Sequence, residues 1–309
     1  MTARTVYKIA HISDLHLDFD AIPHWRDLMN KRAIGYYNWR YRRRHHHKRQ
    51  ILELLIADLN AQKPDHTIVS GDLVNLALPG EFQNAADFLS KLDRPSNVSV
   101  VPGNHDAYVS MPVEKSIGLW REYMRGDTSI HARFGGSEIS FPYVRIRKKI
   151  AIIGLSSAIP TPPFMAYGNL GRSQVKRLGT ILRQLAKDDL FRIVVVHHPP
   201  ISASAARWNR LLDGKALQEV LQGDGAELVL HGHLHQRSIR YLEGENGITP
   251  IVGVPSASLA YQANRPGAAY HLYSIDGTGK SSTLKITTRT LKTTGHGFSD
   301  AAFTESSAV

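Results

Sequence analysis

Cysteine is absent from the 309 residues. That excludes disulfides, thiolate metal ligands and a cysteine nucleophile, so any metal must be held by His, carboxylate, Asn or water. No run of eighteen apolar residues occurs, and long apolar spans are what a membrane-crossing helix needs. The opening Met-Thr-Ala-Arg-Thr-Val-Tyr-Lys also lacks the charged and apolar regions of a secretory signal. The expectation is a cytoplasmic protein, with peripheral contact at the inner face of the membrane left open. Acidic residues are in deficit: 38 Lys and Arg against 27 Asp and Glu give a formal charge of +11. A balance of that sign favours anionic partners such as phosphates, nucleic acid or an acidic lipid surface. Apolar residues, at 42%, suffice for a substantial core.

Short β-branched or apolar runs end abruptly in polar residues at five places: Ile12-Ser-Asp-Leu-His16, Val69-Ser-Gly-Asp72, Val101-Pro-Gly-Asn-His-Asp106, Val194-Val-Val-His-His-Pro-Pro200 and Val229-Leu-His-Gly-His-Leu-His235. Such runs read as buried strands, and open α/β sheets place their ligands beyond strand ends. Between them, helical stripes are expected over Lys48–Gln62, Gly80–Leu92, Val113–Arg125, Gly171–Lys187 and Lys215–Leu221. Pro79 suits a helix start. After His235 come short strands with Gly- or Asn-bearing turns, read as antiparallel hairpins. Strands alternating with helices and then hairpins predict an α/β fold, a four-layer αββα sandwich of two mixed β-sheets flanked by helices. One domain is expected over 1–292, with a basic and aromatic insertion at about 18–47 and a disordered tail over 293–309.

The strand tips collect Asp14, His16, Asp72, Asn104, His197, His233 and His235. Two carboxylates, four imidazoles and one amide are too many for one transition ion, and suit two near-octahedral ions sharing a carboxylate and solvent. Asp14-x-His16 and His233-x-His235 each place two donors on one side of an extended strand end. Glycines at 71, 103 and 232 let the backbone turn beside them.

In this order, D-x-H, G-D, G-N-H-[DE], H and G-H-x-H, the chain resembles the calcineurin-like metallophosphoesterases, over residues 12–235. The resemblance implies one ion on Asp14, His16, Asp72 and His235, and another on Asp72, Asn104, His197 and His233, with Asp72 bridging. His197 is preferred to His198 as ligand because it is the first residue past the strand. It also implies attack on phosphorus by a metal-bridging hydroxide. His105 would face the substrate, for transition-state stabilisation or leaving-group protonation, with Asp106 placed to orient it. Manganese is the expected metal, with Fe, Zn or Co as alternatives.

Residues 24–44 set Trp25, Tyr36, Tyr37, Trp39 and Tyr41 among Arg26, Lys31, Arg32, Arg40, Arg42, Arg43 and Arg44. This mixture suits an anionic membrane surface more than nucleic acid, which it could bind by stacking and charge. Arg40 and Arg43, with Asn104 and His198, are the expected substrate contacts. The lipid reading resembles the UDP-2,3-diacylglucosamine pyrophosphatases; a smaller substrate resembles that of bacterial cyclic-nucleotide phosphodiesterases. Gly71-Asp-Leu-Val-Asn75 departs from the Gly-Asp-x-x-Asp-Arg-Gly of Ser/Thr protein phosphatases. The alternatives are a nuclease of the same fold and a non-catalytic basic module binding nucleic acid or membrane. No obligate protein partner is inferred. His45-His-His47 reads as a solvated helix start or loop, with a third metal site as the other reading.

Overall fold

The computed structural model describes residues 6–18, 22–134, 140–201, 208–261, 266–277 and 279–301. The first strand, β1 (Tyr7–Ile12), runs out at Asp14 and His16. The stretch that follows is helical: a 3₁₀ turn (Trp25–Leu28), α1 (Arg32–Asn38), a π-helical turn (Trp39–Arg43) and one further turn, α2 (Arg44–His46). Then α3 (Arg49–Gln62) leads to β2 (His66–Val69), and α4 (Pro79–Leu92) to β3 (Val98–Val100). Next come α5 (Thr128–Phe134), β4 (Tyr143–Arg147), β5 (Ile150–Gly154), α6 (Arg172–Lys187), β6 (Phe191–Val195), α7 (Gly214–Asp224) and β7 (Leu228–His231). The chain closes with β8 (Ser238–Gly244), β9 (Gly247–Gly253), β10 (Ala269–Asp276), β11 (Thr283–Leu291) and β12 (Phe298–Ala301).

The strands form two mixed six-stranded sheets, in the orders β12-β11-β10-β1-β2-β3 and β4-β5-β6-β7-β9-β8. The period of two along each strand decides what each face covers. In the second sheet Ile150, Ile152, Ile193 and Val195 enter the core shared with the first sheet. Ala151, Ile153, Val194 and Val196 turn to the other side, under α6 and α7. On α6 the buried Val175, Leu178, Ile181, Leu182 and Leu185 recur at helical spacing. At roughly 1.5–3 kcal/mol per fully buried side chain, that stripe anchors the helix. α3 and α4 bring Ile51, Leu55, Leu59, Phe82 and Phe88 to the core around the first sheet. This is the expected two-sheet α/β sandwich.

β1, β2 and β3 are mutually parallel, as are β5, β6 and β7. Parallel strands end on one edge, so the polar tips of β1, β2 and β3 meet those of β6 and β7 across the seam between the sheets. Backbone hydrogen bonds continue past the strands and fix the loops there: Asp14 N donates to Gly71 O (2.9 Å), His16 N to Asp72 O (3.0 Å) and Gly232 N to His197 O (3.1 Å).

Two expectations need correction. Val113–Arg125 is two 3₁₀ pieces, Val113–Lys115 and Ile117–Tyr123, in place of an α-helix. The second piece is itself broken by a kink at Trp120 (φ −117°, ψ 28°), which is buried, as is Tyr123. The residues after 293 do not lack order throughout. Phe298 is buried against Tyr270, ring centroids 5.7 Å apart, and Leu291 pairs with Phe298 as β12 joins the sheet. Residues 302–309 lie outside the described residues. The late strands do form the expected antiparallel hairpins, β8 with β9 and β10 with β11, and join different sheets, β9 pairing in parallel with β7 and β10 antiparallel with β1.

Arg145 on β4 ties the second sheet to the first. Its guanidinium donates to the carbonyls of Arg125 (2.7 Å), Pro95 (2.6 Å), Val98 (2.5 Å) and Glu122 (2.6 Å), and the residue is buried. Arg145→Met strips four carbonyls of their donor and should cost on the order of 3–5 kcal/mol. Urea unfolding checks this, and a loss below about 1 kcal/mol would contradict the role.

Candidate metal centre

Five of the seven strand-tip donors occupy the left-handed backbone region: Asp14 (φ 54°), His16 (43°), Asp72 (56°), His233 (69°) and His235 (52°). Residues with a side chain avoid this region, and each departure costs about 1–3 kcal/mol unless the surroundings enforce it. Here they do, since each loop is pinned by its neighbours. Two glycines make room. Gly71 sits at φ 102°, and a Cβ on Gly103 would lie 2.2 Å from Asp72 Oδ1.

The donors converge. Asp72 Oδ2 is 3.4 Å from His197 Nε2 and 4.0 Å from His16 Nε2. His235 Nε2 is 3.2 Å from Asp14 Oδ1 and 3.2 Å from His16 Nε2. Asn104 Oδ1 is 3.2 Å from His197 Nε2 and 2.9 Å from His233 Nδ1. The far nitrogens of two rings are held by backbone: His197 Nδ1 by Ser70 O (2.7 Å) and His233 Nε2 by Asn209 O (2.8 Å). Ligating histidines are commonly fixed this way through their second nitrogen. Asp14, His16, Asp72 and His197 are buried.

The donor set fits divalent cations. Asp14 Oδ1 is buried and faces His235 Nε2 at 3.2 Å without a well-aligned hydrogen bond among the described residues. The facing Nε2 atoms of His16 and His235 can share at most one proton, whereas a cation accepts both lone pairs. Burial, then the neighbouring imidazoles, keeps His16 neutral, and burial with His197 takes His233 down to about 4. Burial opposes a charge on His197 too, but the Asp72 carboxylate outweighs it and lifts that ring to about 9. His16, Asp72 and His105, and separately Asp14, Asp72 and His197, each bring one donor atom within 4.8 Å of the others. Asp72 is common to both groups.

The remaining expected site residues are placed differently. His198 is buried beside the cluster with both nitrogens engaged, Nδ1 by Ser157 Oγ (2.7 Å) and Nε2 by Ala166 O (3.0 Å). It packs on the His233 ring, centroids 4.4 Å apart. Asp106 does not orient His105. Its carboxylate accepts from the backbone N–H of Asp72 (2.9 Å), Leu73 (2.9 Å), Val74 (3.1 Å) and Gly103 (2.8 Å), which fastens the Asp72 loop to the Gly103 loop. Burial and the Asp72 charge push its pKa up to about 7 against the pull of those donors. Arg40 is exposed, its guanidinium over Tyr41. His105 has a fixed tautomer: Nδ1 donates to Asn75 O (2.6 Å), so Nε2 accepts from Arg43 Nη1 (2.7 Å). Burial and that guanidinium hold His105 down at about 3.

Two residues of the arginine-rich stretch reach the centre. Arg43 is one. His47 is the other, buried, with its ring 4.7 Å from that of His16 and 5.8 Å from that of His235. The spacing was visible: Trp39, Arg43 and His47 recur every four residues, one helical face, within a run whose composition alone suggests solvent. Trp39 is buried with Leu76 and Leu78, and Tyr36 stacks on it. Arg32 donates to the carbonyls of Leu76 (3.0 Å) and Ala77, docking the stretch on the loop before α4. Glu81 in turn accepts from Asn75 N (2.8 Å), Leu76 N (3.0 Å) and Leu78 N (2.8 Å) and shapes that loop. A cavity of about 510 Å³ opens beside Asn104, His105 and Arg43, with Ile34, Tyr37, Phe164 and Met165 at its rim.

Comparison with known proteins agrees with this geometry. A family model described as calcineurin-like phosphoesterase matches residues 7–237. A Synechococcus protein named as a probable cyclic nucleotide phosphodiesterase is 23% identical over 228 residues, 73% of this chain and 77% of that one. A dimetal phosphatase from Danio rerio superposes with a TM-score of 0.58 at 12% identity, over 91% of this chain and 96% of that one. A purple acid phosphatase from yellow lupin (Lupinus luteus) seeds gives 0.53 at 14% identity, over 96% of this chain and 53% of that one. The two structural likenesses speak for the fold.

Asp106→Asn replaces one acceptor oxygen by a donor facing backbone N–H groups. It should lower stability by about 2–3 kcal/mol and weaken metal retention, seen by calorimetry and elemental analysis. A variant with full metal content and stability but a collapsed kcat would instead assign Asp106 to His105.

Proposed function

Because the chain belongs to the calcineurin-like phosphoesterases, metal-dependent hydrolases of phosphoesters, we propose that it cleaves a phosphodiester or pyrophosphate carrying a bulky apolar or aromatic group. One divalent ion is assigned to Asp14, His16, Asp72 and His235, the other to Asp72, Asn104, His197 and His233. When bound, the pair supplies positive charge to the phosphoryl oxygens and acidifies the attacking water. Manganese is the expected occupant; a His, Asp and Asn set also accepts Fe, Zn or Co.

The observation that carries the substrate reading is Arg43. Its guanidinium is part-buried, and that burial lowers its pKa. The hydrogen bonds it makes among the described residues go to the His105 ring, a neutral acceptor. Such a cation, at the boundary between the donor cluster and the cavity, is poised for an anion. A phosphoryl group there gains charge-assisted donors from Arg43, while His105 aims the guanidinium. With Nδ1–H committed to Asn75 O, His105 serves as an acceptor that orients Arg43 and is not the proton donor to the leaving group.

The rest of the substrate belongs in the cavity. Exposed Ile34, Tyr37, Phe164 and Met165 at its rim, with Ile22, Trp25 and Met29 further along the same stretch, favour an acyl-bearing, lipid-linked substrate presented at an anionic membrane surface. No helix among the described residues is long and apolar enough to cross a membrane. A cyclic nucleotide is the second reading, favoured by the name of the Synechococcus relative and by Tyr37 and Tyr108 in the lining, on which a base could stack.

Metal-free protein should be inactive on bis(p-nitrophenyl) phosphate and recover with Mn²⁺; no turnover with any divalent ion would contradict the proposal. Arg43→Ala should lower kcat/KM by roughly 10²–10³-fold at unchanged metal content, with Arg43→Lys recovering only part. An unaffected rate would remove Arg43 from the site. A screen of cyclic nucleotides, glycerophosphodiesters and UDP-diacylglucosamine then separates the two substrate readings.

A further inference from the structure

The histidines around the centre sort by what their two nitrogens do. His105 and His198 have both nitrogens committed to protein partners. His197 and His233 each have one nitrogen fixed by a backbone carbonyl and the other turned to the donor cluster. His47 behaves as the second kind. Its Nδ1 lies 2.7 Å from Ser258 Oγ, which leaves Nε2 uncommitted among the described residues. One nitrogen from each of His16, His47 and His235 lies within 4.8 Å of the other two. His45 and His46, beside it in sequence, are not buried.

We propose that His47 is a further ligand of the ion assigned to Asp14, His16, Asp72 and His235, so that the arginine-rich stretch completes the metal centre. This rests on the two-ion reading above. The backbone supports a fixed ligand at this position. His47 pairs with Leu259 in an isolated bridge, Lys48 N donates to Ser258 O (3.0 Å) and Ala260 N donates to His46 O (2.7 Å). The segment from 256 to 260 is itself tied to the first metal motif, with Ala257 N donating to Ser13 O (2.9 Å) and Ser256 Oγ to Asp14 O (2.7 Å). The ring is thus held against the same loop that carries Asp14 and His16. His47 N also donates to Arg43 O (3.0 Å), one helical turn back. Binding of this ion therefore steadies the turn that presents Arg43, which couples occupancy of the metal site to the phosphoryl contact.

The test is metal binding by the full chain, measured on wild type, His47→Gln and Ser258→Ala. Wild type should hold two equivalents of Mn²⁺ or Co²⁺. In His47→Gln the affinity for one ion should fall about 10–100-fold while the other is unchanged, and the Co²⁺ protein should lose one hyperfine-shifted exchangeable imidazole N–H resonance. Ser258→Ala keeps the imidazole, removes its tether and should weaken the same ion. It carries the test alone if His47→Gln does not fold. Unchanged affinities with an unchanged set of shifted resonances would overturn the assignment of His47 while leaving the two-ion centre standing. A wild-type protein that holds no ion would overturn both.

Discussion

The site hangs on where Asp72 puts its carboxylate. Oδ1 is claimed by the backbone N–H of His105 at 2.8 Å, and Oδ2 is left between His16 and His197. That pose requires a left-handed backbone at Asp72, a glycine before it at φ 102°, and a second glycine close enough that a Cβ would strike Oδ1. None of these is favourable alone. They hold because the parallel strands β1 and β2 lock Asp72 O to His16 N, and because Asp106 gathers four backbone N–H groups from two loops into one knot. A sheet seam supplies the rigidity, and the strained residues use it. Clustering of left-handed, non-glycine residues at one spot is what a functional centre looks like when the fold has to enforce it.

Around that knot the family frame and the arginine-rich stretch divide the work. Two sheets supply the seven strand-tip donors. The stretch between β1 and α3 supplies one wall of the cavity and two polar side chains, Arg43 and His47, from the face that also buries Trp39. It is docked by Arg32 on the loop before α4, and Glu81 holds that loop from beneath. Lys31 Nζ reaches Thr161 O at 2.6 Å and lies over the Tyr108 ring at 4.2 Å, which links the cavity's two sides. The metal-donor cluster and the cavity wall thus come from different parts of the chain, and they meet at the His105 ring between Arg43 and Asn75.

Much of this was legible because its signals are local. Val194-Val-Val before His197, or Val229-Leu before His231, can only be a buried strand stopping at a polar tip, and the order of the tips gave the family resemblance. Elsewhere the deciding contact is distant in sequence. Phe298 alone marks β12, and its partner Tyr270 is far back in the chain. Val113–Arg125 has helix-forming composition, but its backbone kinks at the buried Trp120 and leaves only short 3₁₀ pieces. Asp106 follows His105 directly, and adjacency suggested a contact that the turn does not allow. In Trp39–His47 the arginines hid a spacing of four. Arg43 is an expected contact, whereas His47 reads as solvated and is in fact buried.

Side chains from five strand ends are proposed to grip a pair of cations, with Asp72 between them. A crystal of the Mn²⁺-loaded protein, with data collected at the manganese absorption edge, tests this proposal most directly. Two anomalous peaks are expected in the seam between the sheets, one beside Asp14, His16 and His235 and one beside Asn104, His197 and His233, both in contact with Asp72. A single peak elsewhere, or none at these residues in protein active with Mn²⁺, would contradict the proposal.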